Sequence, residues 1–498
     1  MAITMWDVVV IGSGIAGCAT ARELARYRLK VLVLEKGSDV CSGASKGNSA
    51  MVHSGFDPEP NTLKARFNVL GNALFDELCS ELDVPFSRSG TLVIAASTDE
   101  MQELRRLQER GRKNGVETQL LTGGTLREFH TGPRVVGALF APSGGVVCPY
   151  NLVIAMAECA FINGVEFLFE TQVLKIGRDG GTWRVTAGGG REFYARAVVN
   201  CAGTDSARLN NMVCAEKFTV VPRFGAHIIL SRDYIHGVDC TVTQTPKPLP
   251  SGGHTKGMGM IPSADGTVIL GCDAVDHADP DDTAVPAESI RDIVNYFTQN
   301  WEHYPIARFV PVFPREGIIG AYGGLRAHCD RDDFVIGEPD DAPGFFNAAG
   351  IESPGLTAGP AIGQYLSTLI SKRLGAVPKP DFYPGRHALK PFRGMTDRER
   401  AEAIAQNPDY AKIVCRCELV TEAEIRDAIR RPLGARSISG VKMRTRAGMG
   451  RCQGGFCGPR VLQILCEEQN LDPLSINQSG PGSNVLQARA CALPRGRG

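Results

Sequence analysis

WDVVVIGSGIAGCATARELARYRLKVLVLEK, residues 6–36, decides the architecture. Residues 6–11 are a short apolar, β-branched run ending at glycine, which predicts a strand buried on both faces. From residue 15 apolar positions recur at three- and four-residue spacing, predicting a helix, and LKVLVLEK is a second buried strand. Strand, helix and strand in succession make a βαβ unit and predict an α/β fold. Gly12, Gly14 and Gly17 place GxGxxG at the first strand–helix junction. The first glycine permits the tight turn, the second lets backbone touch a pyrophosphate, and the third lets helix and strand pack closely. Free N–H groups at the helix start then face the anion. Glu35 ends the second strand eighteen residues past Gly17, where a carboxylate accepts ribose hydroxyls. The unit predicts a dinucleotide, and by itself leaves FAD and NAD open.

The bulk composition excludes several classes. At 498 residues the chain is long enough for two or three domains, and Lys+Arg balances Asp+Glu at 54 each. That balance gives no whole-chain field for nucleic acid or an anionic membrane. The start lacks a signal-peptide pattern, and no apolar run reaches spanning length. Sixteen cysteines are dispersed along the chain, so reduced thiols and a cytoplasmic location are expected, with membrane association only through a partner.

Further along, TLVIAAS and VEFLFETQVLKI read as strands, NLVIAMAECAFINGV (151–165) as a helix, and YARAVVNCAG as another parallel strand. Residues 218–325 read as strand-rich with Gly/Pro turns, and 344–375 as strand, glycine-rich turn and helix. Pro and charge then mark a linker, followed by a polar helix and a compact module. The last stretch lacks periodicity and is expected to fray or drape over the surface.

Two stretches favour a flavin. CSGASKGNSAMVHSG (41–55) packs small residues after the second strand, as needed where backbone passes beside a flat ring, and FFNAAGIESPGLTAGPA ends a strand at a helix start that can stabilise negative charge on a reduced flavin. With RAVVNCAG these supply the candidate cofactor contacts Ser45, Asn48, Ser49, Ala202, Gly203, Gly350, Gly355 and Leu356, beside Gly12, Gly14, Gly17 and Glu35. Over about residues 5–375, through VVVIGSGIAGCATARELARY, GASKGNSAMVHSGFDPEPNTLKARFNV, DDFVIG and AGIESPGLTAGPAIG, the chain resembles the D-amino-acid-oxidase-like FAD oxidoreductases. Within them it resembles the glycerol-3-phosphate dehydrogenases and oxidases, in particular the anaerobic catalytic-subunit type. The resemblance implies a Rossmann-like FAD-binding part over about 1–85, 145–215 and 325–375. It also implies a mixed or antiparallel-sheet substrate part over about 86–144 and 216–324, both within a domain of residues 1–375.

His53 is the candidate base, because an imidazole accepts an alcohol proton near neutral pH. Its small-residue loop and the matching family histidine point the same way; the alternative is a structural histidine. The resemblance implies that Arg326, in GGLRAH, binds the anionic end of the substrate, and that Lys256, in HTKGMGM, contacts phosphate. A fork-shaped guanidinium with a mobile ammonium suits phosphate, while the plain alternative for each is a solvated surface cation. PRFGAHIIL (222–230) departs from the family: Ala226 and His227 stand where an acid and a tyrosine are usual. A 2-hydroxyacid of the L-2-hydroxyglutarate kind, or an amino or imino acid, therefore stays open as substrate.

VCRCE and RCQGGFCGPR place Cys415 and Cys417 against Cys452 and Cys457. A Cys-x-Cys pair is unusual for zinc knuckles, whereas two close pairs can divide between the irons of a [2Fe–2S] cluster. The segment is similar to the bacterioferritin-associated-ferredoxin-like [2Fe–2S] domain. That sets a linker at 376–410, a small helical [2Fe–2S] domain at 411–468 and a tail at 469–498, with zinc as the rival occupant. Residues 411–460 hold eleven Lys/Arg against four acids, an excess that suits cluster charge, an acidic partner or plain solvation. Flavin and cluster together imply a dehydrogenase handing electrons to an acceptor protein or further subunits, and the resemblance implies an anionic small molecule as its substrate, sn-glycerol 3-phosphate first. A non-catalytic redox-sensing or assembly protein is the second class.

Overall fold

In a computed structural model describing residues 4–129, 131–132, 134–246 and 257–489, the chain forms two compact units. One comprises residues 1–36 and 40–386, the other 37–39 and 387–498.

In the first unit, strand Met5–Ile11 lies between the parallel strands Val31–Leu34 and Glu192–Asn200. Glu166–Leu168 and Phe345–Ala349 extend the parallel sheet on either side. Val8, Val9 and Val10 are fully buried, as the unbroken apolar run requires. The stretch VEFLFETQVLKI, read as strand, divides. Glu166–Leu168 joins the parallel sheet, while Val173–Asp179 and Thr182–Ala187 form a hairpin against Glu192–Asn200.

Helix Ile15–Leu24 packs against the long helix Gly355–Leu374, which also crosses Leu63–Glu81. Gly359 and Gly363 permit that approach. A Cβ at 359 would fall 2.4 Å from Ile15, and one at 363 would fall 2.6 Å from the Ala19 backbone. Gly359, within the stretch read as facing a flavin, thus serves helix packing, as does Gly363.

The same unit carries a nine-stranded sheet. Its longest pair, Val220–Leu230 and Ile318–Cys329, is antiparallel and sets Arg223 opposite Arg326. Side chains alternate along a strand, so Arg326 and His328 share one face. Helix Ala287–Asn300 interrupts the region read as strand-rich. Ile293 and Phe297, four residues apart, are fully buried, a helical period hidden among Gly/Pro turns.

The second unit pairs Ile413–Cys415 with Val420–Thr421 and adds helices Glu422–Arg430, Ile438–Thr445 and Gly458–Gln469. Thr421 and Glu424 form a capping box that starts the first of these helices. Ile476, in the stretch expected to fray, is 1% exposed in this unit's apolar core, and Ile438 N–H donates to the Asn477 carbonyl. Residues 376–410 also do more than link. Arg386 makes a buried ion pair with Glu158 at 3.1 Å in the first unit, while Thr396 caps helix Asp397–Gln406 in the second.

Candidate active site and cysteine site

The dinucleotide turn follows from three different needs at three glycines. Gly12 has φ +99°, and a Cβ there would sit 2.4 Å from the Cys201 carbonyl oxygen. A Cβ on Gly17 would strike the Gly12 carbonyl at 1.9 Å. Gly14 differs: a Cβ there would meet only Ser45 Oγ, at 3.1 Å, so its backbone faces open space. Ser45 Oγ accepts from Ile15 N–H at 2.9 Å, at the first turn of the helix. Glu35 accepts from Ser13 N–H at 2.8 Å and Ser13 Oγ at 2.7 Å, which ties the second strand to the turn. Ala202 and Gly203 follow strand Glu192–Asn200 against Gly12, and nothing lies within 4 Å of a Cβ built at Gly203. Tight backbone at Gly12 and Gly17, with an open face at Gly14 and a helix start behind it, fits a pyrophosphate-bridged dinucleotide.

Beside this turn opens a cavity of about 670 Å³. Ser45, Asn48, Ser49, His53, Arg326, Gly355 and Leu356 all line it. Gly12, Gly14, Gly17, Glu35, Ala202, Gly203 and Gly350 are not part of its wall. Gly350 instead packs a φ of +65° against Cys329. Lys256 lies outside the described residues.

His53 is held by its backbone. Its N–H donates to Thr357 Oγ1 at 2.9 Å, and its carbonyl accepts from Asn68 at 2.7 Å and Asn72 at 3.0 Å. Its Nε2 lies 3.4 Å from Ser353 Oγ. Asn48 shapes the same loop, accepting from Ala50 N–H at 2.9 Å and donating to the Ser45 carbonyl at 2.7 Å.

The cations of the cavity wall differ in what they face. Arg223 is paired with Asp276 at 2.6 Å, Lys64 with Glu352 at 2.7 Å and Arg331 with Glu216 at 2.9 Å. Arg326 donates to the carbonyls of Phe224 and Asp273 and to Cys272 Sγ, with no carboxylate partner among the described residues. Arg326 is thus the one Lys or Arg of the cavity wall outside an ion pair among the described residues. Glu352 also accepts from His328 Nδ1 at 3.1 Å. Burial raises the Glu352 carboxyl, but His328 and Lys64 outweigh it and hold it down to about 2.

Ala226 and His227, the departure noted in PRFGAHIIL, do not reach the cavity wall. His227 is buried and stacked on Tyr322, with ring centroids 4.9 Å apart and planes 9° apart. Burial, then the nearby Arg326 charge, push His227 down to about 3.

In the second unit Cys417 Sγ and Cys452 Sγ are 3.8 Å apart. The Cys457 side chain draws the Cys415 thiol down, and Cys415 in turn pushes Cys457 up. The close sequence pairs are thus crossed in space, one cysteine of each meeting one of the other. A tetrahedral metal with bonds to sulfur of about 2.3 Å holds its sulfurs about 3.8 Å apart. Among the described residues no three or more His, Cys, Asp and Glu side chains gather as a single-ion site. Thiols gathered in twos suit a two-iron cluster with two protein ligands on each iron better than one zinc ion. Gly450 makes the crossing possible, since a Cβ there would fall 2.3 Å from Cys417 Cβ.

Residues 7–369 match the family model described as FAD dependent oxidoreductase. The chain belongs to that family. Residues 413–467 match a BFD-like [2Fe-2S] binding domain. FAD and a [2Fe–2S] cluster are accordingly the cofactors of this FAD-dependent oxidoreductase. It is 39% identical over 487 residues to a glycerol 3-phosphate dehydrogenase of Caloramator mitchellensis, covering 97% of this chain and 98% of the relative. A glycerol 3-phosphate oxidase of Mycoplasma genitalium is 27% identical over 379 residues, 74% of this chain and 95% of the relative. Among solved structures, dithionite-reduced L-α-glycerophosphate oxidase from Mycoplasma pneumoniae with FAD bound aligns with a TM-score of 0.69 and 26% identity. It covers 78% of this chain and 100% of that one.

Lys64, Glu352, His328, Arg223 and Ser353 are cavity residues that sequence reasoning did not single out. His328 was within reach, two residues past Arg326 on one strand face. Lys64 and Glu352 are 288 residues apart, and no spacing rule joins them.

Proposed function

We propose that the protein oxidises sn-glycerol 3-phosphate to dihydroxyacetone phosphate and delivers the electrons to a separate acceptor protein. Arg326 carries the reading: among the cations lining the cavity it alone lacks a carboxylate partner among the described residues, and His53 lines the same space. A guanidinium outside an ion pair in a partly enclosed cavity attracts an anion, and its fork suits phosphate oxygens. The full-length likeness to a glycerol 3-phosphate dehydrogenase supports this choice of anion.

In this reading Gly12, Gly14, Gly17 and Glu35 would hold the dinucleotide end of FAD, and Ser45, Asn48, Ser49, Gly355 and Leu356 its ring end. Bound FAD supplies the two-electron acceptor for the carbinol carbon. Arg326 holds the phosphate and so fixes which end of the substrate reaches His53. His53 takes the hydroxyl proton at Nε2, while its backbone bonds to Thr357, Asn68 and Asn72 fix the main chain from which the ring projects. Lys64 and His328, already engaged by Glu352, shape the wall without adding free charge. Cys415, Cys417, Cys452 and Cys457 would hold the [2Fe–2S] cluster, which moves electrons singly.

No helix among the described residues is long and apolar enough to cross a membrane.

Anaerobic titration of the flavin absorbance tests the proposal. Glycerol 3-phosphate should bleach it, whereas L-2-hydroxyglutarate, glycine and proline should not. Bleaching by one of the latter without glycerol 3-phosphate would overturn the assignment.

A further inference from the structure

We propose that the face carrying Cys417 and Cys452 is the docking surface for a one-electron acceptor protein whose contact region is acidic around an apolar centre. This rests on the reading that electrons leave through the cysteine site, and it adds where and to what kind of surface.

Three observations converge there. First, the four thiols are unequal: Cys415 is 1% and Cys457 2% exposed, while Cys417 and Cys452 are exposed. Another protein can reach this site only from the Cys417–Cys452 side. Second, Phe456 is 59% exposed four residues past Cys452, and the Arg416 guanidinium lies 4.7 Å from its ring centroid. An aromatic ring with a stacked arginine is the pair of residue types that anchors protein interfaces.

The third observation concerns charge. Arg426, Arg430, Arg446 and Arg460 of the same unit are bound to Glu422, Glu467, Glu468 or Glu418. Arg416 and Arg451, which flank the exposed thiols, have no carboxylate partner among the described residues. Paired charges largely cancel at a distance, so Arg416 and Arg451 leave unpaired positive charge beside the thiols that face solvent. A partner with acidic residues ringing an apolar patch matches that pattern and is steered toward it. Two arginines and one ring are short of the basic cluster that holds a protein on an anionic bilayer, which favours a protein partner.

The transfer makes and breaks no bond and moves no proton. One electron leaves the reduced enzyme for each oxidised acceptor, so two acceptors are reduced for each substrate oxidised.

The test uses cofactor-loaded enzyme reduced with dithionite, which makes it independent of the substrate. Acidic cytochrome b5 and basic cytochrome c serve as oxidised probes, followed by stopped-flow reoxidation and, for cytochrome b5, by calorimetric binding. With wild type, cytochrome b5 should bind and react faster at low salt than at about 0.5 M salt. R416E/R451E should lower its affinity and reoxidation rate about tenfold or more and should favour cytochrome c. F456A should lower cytochrome b5 affinity while leaving the salt dependence in place. Iron content and visible spectrum check that each variant keeps its cluster; R416Q/R451Q replaces the charge reversal if that variant loses it. Flavin bleaching by glycerol 3-phosphate should be unchanged in all of them, so failure of docking and failure of the substrate assignment read out separately. Equal reaction with both cytochromes, insensitive to these substitutions, would overturn the proposal. So would binding to phosphatidylserine vesicles that R416E/R451E abolishes, or slowed flavin-to-cluster transfer with unchanged cytochrome b5 kinetics.

Discussion

The Arg326 guanidinium occupies the space that a side chain at residue 225 would fill: a Cβ on Gly225 would fall 2.2 Å from Arg326 Nη2. Gly225 stands on the neighbouring strand, two positions along from Arg223, the residue directly opposite Arg326. Gly225→Ala should therefore displace Arg326 without touching the flavin turn. Losing a charge-assisted contact to phosphate predicts a KM for glycerol 3-phosphate raised about ten- to hundredfold. Steady-state kinetics beside flavin content checks this; unchanged KM would show that Arg326 does not grip the substrate.

Proton removal is assigned to His53. His53→Ala should slow flavin reduction by roughly 10²- to 10⁴-fold, with FAD content retained, because a positioned base contributes about that much. Anaerobic stopped-flow reduction measures it, and a rate like wild type would remove His53 from the chemistry.

The three glycines of the turn should fail differently. Gly17→Ala places a Cβ 1.9 Å from the Gly12 carbonyl and should prevent folding. Gly14→Ala meets only Ser45 Oγ, so the protein should fold but purify with little FAD. Circular dichroism with flavin absorbance separates the two outcomes.

Glu352 should stabilise the fold except in acid. Its folded pKa, about 2, lies below the unfolded value, so its contribution is complete above about pH 5. It is lost as the pH falls through about 4.3 toward the folded value. Urea unfolding of wild type and Glu352→Gln across this range should show a gap that closes on acidification; a constant gap would contradict the ion-pair account.

His227 is a buried ring whose nitrogens have no hydrogen-bond partner of good geometry. His227→Phe keeps the stack on Tyr322 and should be at least as stable as wild type at neutral pH. The unfolded chain binds a proton near pH 6.5, whereas the folded one does not until about 3. Wild type should thus lose stability relative to the variant as the pH falls between those values. Thermal melts at several pH values read it directly.

Local order was legible where one short segment carries the whole requirement. The 6–36 stretch prescribes its own strands, helix and turn, and the glycine roles at 12, 14 and 17 follow from contacts within or beside that turn. Four cysteines in two close pairs likewise announce a metal-binding site. What stayed hidden depends on pieces of chain brought together. Helix Ala287–Asn300 is masked by neighbouring turns, and the buried role of Ile476 needs the rest of its unit.

The sequence by itself determined the βαβ unit, its glycine turn and the two close cysteine pairs, because residue type and spacing encode local geometry and chemistry; His53 it offered as a candidate, and Arg326 only through a family resemblance. Only the tertiary structure decided that Lys64 and Glu352 neutralise each other while Arg326 is in no ion pair among the described residues, and that Cys417 meets Cys452 rather than Cys415. Both outcomes turn on which distant side chains come within a few ångströms. Ion pairing and metal coordination act over that range, and spacing along the chain does not measure it.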